Sequence, residues 1–109
     1  MQRILGKLVL VGALNAVAWG AGAEDVEAGR DVARGVCMPC HVVTTDQLSP
    51  RRFVTGPDFK DVANTSGTTA TSLRVFLTTQ HPKMPNLILT PQQTADVISY
   101  ILSLRDRRP

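Results

Sequence analysis

The chain has 109 residues, enough for one small domain, and its 43% apolar content is that of an ordinary soluble globular protein. Its formal charge is +3, yet Arg3 and Lys7 stand in a leader-like N-terminus, and residues 24–109 keep all 9 acidic groups with a charge of only +1. That balance gives no case for nucleic-acid binding, and neither an internal repeat nor a low-complexity tract interrupts the chain.

The first 23 residues read MQRILGK, then LVLVGALNAVAWG, then AGA: a basic start, an apolar run and a small-residue end. This is the order of a secretory signal peptide, with cleavage expected after Ala23. The run from Leu8 to Gly20 is interrupted by Gly12 and Asn15 and is shorter than the roughly 20 apolar residues that span a bilayer, so no stable membrane insertion is expected after cleavage. The organisation expected is therefore a signal peptide over 1–23 and one exported domain over 24–109, in the bacterial periplasm or an equivalent compartment.

The domain opens with DVEAGRDVARGVC, in which Gly29, Val32, Ala33 and Val36 recur at i, i+3, i+4 and i+7. That spacing predicts a helix whose apolar stripe leads into CMPCH, residues Cys37 to His41, which hold the only two cysteines. A structural zinc site needs four ligands, and no second cysteine pair or His-x-x-x-His follows. A thioredoxin-like dithiol sits at a strand-to-helix junction, and no alternating strand pattern flanks this pair. A plain disulfide would close a loop so short that it removes little chain entropy. The reading that remains is the c-type haem attachment motif C-x-x-C-H. Cys37, Cys40 and His41 at i, i+3 and i+4 share one face of a helical turn. Two sulfurs can then join two vinyl groups on one side of a porphyrin, with the His41 imidazole beneath the iron.

From there to about Thr69 the chain carries Pro50, Gly56, Pro57, Asn64 and Gly67 and reads mostly as loop. So much irregular chain suits a small domain only if something else supplies the core, which a covalently held haem does. Phe53, Phe59 and Val62 are candidates to line it or to pack on the helices. A short helix is predicted from about Thr69 to Thr79, burying Leu73, Phe76 and Leu77.

The second axial position of the iron has two candidates, His81 and Met84, both in QHPKMPN; Met38 lies inside the attachment motif and cannot reach the other face. Pro82 and Pro85 preclude regular helix there and make a stiff loop that can hold a thioether against iron. Ligation by His81 would lower the reduction potential relative to Met84. The last helix has a clear start: Thr90 as N-cap, Pro91 at the first helical position and Gln93 completing a capping box. Val97, Tyr100, Ile101 and Leu104 form its apolar stripe. Two matching stripes predict two packed helices, with Gly29 allowing close approach to a bulky residue such as Tyr100.

With these residues in place the chain resembles the small monohaem class I cytochromes c over essentially all of residues 24–109. The resemblance rests on the helix running into Cys37-x-x-Cys40-His41, the Gly56-Pro57 pair, the Met84-Pro85 loop and a C-terminal helix containing Tyr100. It implies an all-α fold, three or more short helices and loops wrapped around one covalent haem c. It implies thioethers at Cys37 and Cys40, His41 and Met84 as axial iron ligands, and a Pro57 carbonyl accepting the hydrogen bond from the other His41 nitrogen. One departure is that Trp19, the single tryptophan, lies in the leader; the propionate contact some relatives make through Trp would fall to Arg51 or Arg52.

The function expected is one-electron transfer rather than catalysis, because two axial protein ligands leave no open position for a substrate. The partners expected are redox proteins, a dehydrogenase or reductase as donor and an oxidase or reductase as acceptor. Lys83, and Lys60 with it, are candidate rim charges for docking, and Arg105, Arg107 and Arg108 read as favourable charges at a helix C-terminus. Two other readings stay open: a dedicated cytochrome subunit of a periplasmic dehydrogenase, and a haem ligand sensor or peroxidase-like protein if Met84 does not ligate. A haem-free thiol oxidoreductase is a further alternative.

Overall fold

A computed structural model of the chain describes residues 12–13, 24–47 and 55–107; the expectations for the leader, for Arg51 and Arg52, for Phe53 and for Arg108 lie outside these. Among the described residues four α-helices follow in order: α1 (Val26–Val32), α2 (Phe59–Asn64), α3 (Ala70–Thr78) and α4 (Pro91–Ser103). Between α1 and the attachment motif the chain runs through a π-helical turn, Ala33–Cys37. The described residues contain no strand, so the fold is all-α as expected.

Three of the helices, α1, α3 and α4, start where their own side chains close open N–H groups; α2 begins after Asp58 without a side-chain cap. Asp25 caps α1 by accepting from the backbone N–H of Glu27 and Ala28. Thr90 and Gln93 form a reciprocal capping box on α4, with Pro91 following the cap, and Thr69 and Ser72 form another on α3. The α2 helix is one element that reading the segment as loop missed. Asp58 precedes it, and Phe59, Val62 and Ala63 at i, i+3 and i+4 turn an apolar face inward, Phe59 and Ala63 buried and Val62 partly so. The link from α2 to α3 turns at Gly67, whose φ of 85° is the single positive value among the described residues. The Thr68 N–H returns to the Thr65 carbonyl at 3.2 Å, so Gly67 takes the position of a four-residue turn that needs a left-handed backbone.

The helices are organised by the crossing of α1 and α4. A methyl group at Gly29 would stand 1.9 Å from the Asp96 carbonyl oxygen and 2.9 Å from Tyr100 Cβ, so the two backbones meet where only glycine fits. The predicted pairing of Gly29 with Tyr100 is thus found, with Asp96 beside it. The same seam holds the start of the domain, since the buried Asp96 carboxylate accepts from the Asp25 backbone N–H at 2.9 Å and from Gln92 at 2.8 Å. Ala33, Cys37, Val43, Phe59, Ala63, Leu73, Val97, Ile98, Tyr100 and Ile101 form one continuous core.

Two sequence expectations need correction. Val36 does not continue the stripe; it is exposed and Cys37 is buried in its stead. The Met38 N–H bonds to the Ala33 carbonyl, five residues back, and this wider turn rotates the chain so that position 37 rather than 36 faces inward. Phe76 is exposed on α3, stacked on His81, while Leu73 is buried and Leu77 partly so. Arg105 stands just past the C-terminus of α4, and its side chain reaches across the fold: its Nε donates to the Ala63 carbonyl at 3.0 Å and its Nη2 to the Thr68 carbonyl, tying the end of α4 to the end of α2. Among the described residues no helix is long and apolar enough to cross a membrane.

Tyr100, the single tyrosine, donates its hydroxyl to the Val43 carbonyl inside the core. Burial raises its phenol above the ordinary range. A raised phenol favours the fold below the unfolded value of about 10, and that contribution is lost as pH rises past it. Tyr100→Phe leaves the Val43 carbonyl without this partner and should lower stability by about 1–2 kcal/mol near neutral pH. Urea unfolding at about pH 8 and about pH 11 should also show wild type losing more stability than Tyr100→Phe on the alkaline step; equal losses would mean that the phenol is not held in its neutral form.

Candidate functional site

The attachment motif lies on a closed turn. The Cys40 N–H bonds to the Cys37 carbonyl at 3.1 Å and the His41 N–H to the same carbonyl at 3.0 Å. The second of these spans four residues, as in an α-helix, and so places Cys37 and His41 on one face of the turn. Cys37 is buried and Cys40 half-buried, and both are free thiols. Burial pushes the Cys37 thiol up to about 11. A redox dithiol acts through a thiolate made accessible by a depressed pKa, so this desolvated thiol runs against the thioredoxin-like alternative.

The imidazole of His41 is held from three sides. Its Nδ1 lies 2.7 Å from the Pro57 carbonyl oxygen. A carbonyl can only accept, so Nδ1 carries the proton, and in the neutral ring Nε2 is left with a bare lone pair on the opposite side. Gly56 lies against the ring: a methyl group there would stand 2.3 Å from Cε1 and 2.6 Å from Nδ1. The Phe59 ring packs beside it with centroids 5.2 Å apart and planes tilted by 51°. The segment that carries Gly56 and Pro57 is itself tied back to the motif, by Gly56 N–H to the Cys40 carbonyl at 2.8 Å and Phe59 N–H to the Val42 carbonyl at 2.9 Å.

The chain just beyond His41 is braced as well. Gln47 accepts from the Val43 N–H at 2.9 Å and donates to the His41 carbonyl at 3.2 Å, and Tyr100 reaches the Val43 carbonyl from α4. Gln47 escaped sequence reasoning because a lone glutamine in a loop carries no pattern. Gly56 was read only as half of a Gly-Pro pair; the reason for a glycine, contact with the imidazole, needs the fold to be seen.

The residues thus fall into two groups. Cys37, Cys40, His41 and Pro57 come together at the turn. Met84 lies on the loop from α3 to α4, partly buried, lining a cleft of about 300 Å³ with Phe76, Leu77, His81, Leu87 and Leu89. His81 is already engaged, its Nε2 2.7 Å from the Phe76 carbonyl and 3.2 Å from Thr79 Oγ1. Of the candidate rim charges, Lys83 is exposed, whereas Lys60 reaches Asp106 at 3.5 Å in an open ion pair.

These residues fit a c-type haem. Two free thiols and an imidazole share one closed turn, the glycine leaves space that a methyl group would take, and the ring tautomer points a lone pair away from its hydrogen bond. Along nearly its whole length the chain is similar to Cytochrome c-552 of Bradyrhizobium diazoefficiens, with 36% identity over 105 residues, covering 96% of this chain and 99% of that protein. No family model matches the chain, and no solved structure matches it.

Gly56→Ala tests how the imidazole is held. The added methyl must displace either the ring or the Gly56-Pro57 segment, so the Nδ1–H to Pro57 bond should break. Proton NMR of the wild type should show a slowly exchanging His41 ring N–H that disappears in the variant; its survival would show that Gly56 does not set the ring's position.

Proposed function

Because this chain belongs to the class I c-type cytochromes, and is accordingly an electron-transfer protein with covalently bound haem c, we propose that it works as an exported, periplasmic one-electron carrier. In this reading it holds a single haem, with thioethers at Cys37 and Cys40 and the iron between His41 and Met84. The observation that carries it is the His41 to Pro57 hydrogen bond, which leaves Nε2 free to ligate and fixes the ring against rotation. The haem supplies the one-electron couple. The protein's part is to orient, tune and shield.

The Pro57 carbonyl draws on the Nδ1 proton and makes the His41 imidazole a more electron-rich donor, which favours the oxidised state. Met84, a softer ligand, works in the other direction and raises the potential relative to a second imidazole. The engagement of His81 Nε2 by the Phe76 carbonyl supports Met84 over His81 for that role. With His41 and Met84 both holding the iron, no position would be left open to a substrate. Cleavage after Ala23 would release residues 24–109 without the apolar run, consistent with a diffusible carrier whose partners are other redox proteins. Lys83, exposed beside Met84, is the rim charge that would meet an acidic partner.

Carbon monoxide separates this reading from the ligand sensor and peroxidase-like alternatives. The reduced holoprotein should keep its visible spectrum under carbon monoxide, because Met84 would hold the iron against it. Immediate conversion to a carbonyl spectrum at neutral pH would mean an open iron and would end the carrier reading.

A further inference from the structure

The loop that carries Met84 is anchored by a side chain that the electron-transfer role does not by itself require. The exposed Phe76 ring, in the last turn of α3, is stacked on His81 with centroids 3.7 Å apart and planes within 16°. The His81 Nε2 lies 2.7 Å from the Phe76 carbonyl oxygen. That carbonyl belongs to the helix end that normally lacks partners. Its other approaches are longer, the Thr79 N–H at 3.5 Å and the Thr79 hydroxyl at 3.4 Å. The imidazole is therefore its shortest partner, and since a carbonyl only accepts, Nε2 carries the proton.

We infer that His81 is a positioning residue for Met84: it clamps the first residues of the loop to the C-terminus of α3 and so restricts how far the thioether can move. This rests on the reading of Met84 as an axial ligand. The mechanical path is short. His81 is followed by Pro82, whose ring fixes φ, and Met84 is bounded on its other side by Pro85. With one end of so stiff a segment pinned by a ring stack and a hydrogen bond, few backbone rotations are left between the clamp and the sulfur. His81 and Met84 line the same cleft, so the clamp acts within the loop and not from a remote part of the fold. A histidine beside a ligand methionine would ordinarily read as a rival ligand; here its Nε2 is used to hold the methionine's stem.

Imidazole titration of the ferric full-length holoprotein tests this. Imidazole competes for the iron and reports the fraction of molecules in which Met84 has left it, because apparent affinity scales with the population competent to bind. His81→Phe keeps a ring to stack on Phe76 and removes the N–H. Losing one such hydrogen bond should make imidazole bind about tenfold more tightly. His81→Gln restores a donor and should return most of the way to wild type. If His81→Phe yields no holoprotein, His81→Ala takes its place, with an effect of the same sign and at least equal size.

Gly67→Ala supplies the comparison that a merely structural role would fail. It strains a turn with positive φ outside the Met84 cleft, lowering overall stability without touching the clamp, and should bind imidazole as wild type does. Equal affinity in wild type and His81→Phe would overturn the inference. So would a Gly67→Ala affinity raised as far as that of His81→Phe, since general loosening would then account for the effect. Met84→Ala should bind imidazole more tightly than any His81 variant; if instead it binds as wild type does, the ligand assignment itself fails and the clamp falls with it.

Discussion

The structure depends first on the contact between α1 and α4 at Gly29. Only a residue without a side chain lets the Asp96 carbonyl and Tyr100 approach that closely, and the rest of the arrangement is referred to that crossing. From α1 the chain passes straight into the π turn and then the attachment motif, so where α1 lies on α4 decides where Cys37 and His41 stand. From α4, Tyr100 reaches back to the Val43 carbonyl, two residues past His41. The motif is therefore held from both directions by one helix pair.

The chemistry follows from a second constraint that the first makes possible. With the motif fixed, Gly56 and Pro57 close over the His41 ring, and a single hydrogen bond to a carbonyl decides which ring nitrogen keeps its lone pair. A histidine left free in solution would sample both tautomers and many ring rotations. This one presents one nitrogen in one orientation, which is what axial ligation requires. The desolvated Cys37 thiol belongs to the same economy of parts: poorly suited to disulfide exchange, it is suited to being buried against an apolar group.

What could be read from the residues and what could not divides along physical lines. The start of α4 was legible to the residue, because Thr90, Pro91 and Gln93 act through contacts within one turn. The C-x-x-C-H motif was legible for the same reason, since its spacing alone puts the groups on one face. Burial at position 37 rather than 36 was not, because a helical wheel assumes 3.6 residues per turn and the chain inserts a wider π turn there. The α2 helix was hidden by its brevity and by the glycine and proline before it, although Phe59, Val62 and Ala63 carried its pattern. Phe76 looked like core because its stacking partner, His81, lies beyond the helix where periodicity says nothing. Gly56 and Arg105 act across the fold, between segments that only the tertiary structure brings together, whereas Gln47 acts within its own loop, where a lone glutamine carries no pattern.

The central claim, an iron held between His41 and Met84, is tested most directly by the visible spectrum of the exported, oxidised protein, read for the weak far-red band of methionine sulfur on ferric haem. The account predicts that the band is present in the wild type and absent in Met84→Ala, with the haem still covalently attached in both. A haem spectrum without that band in the wild type, or a band that survives in Met84→Ala, would contradict it.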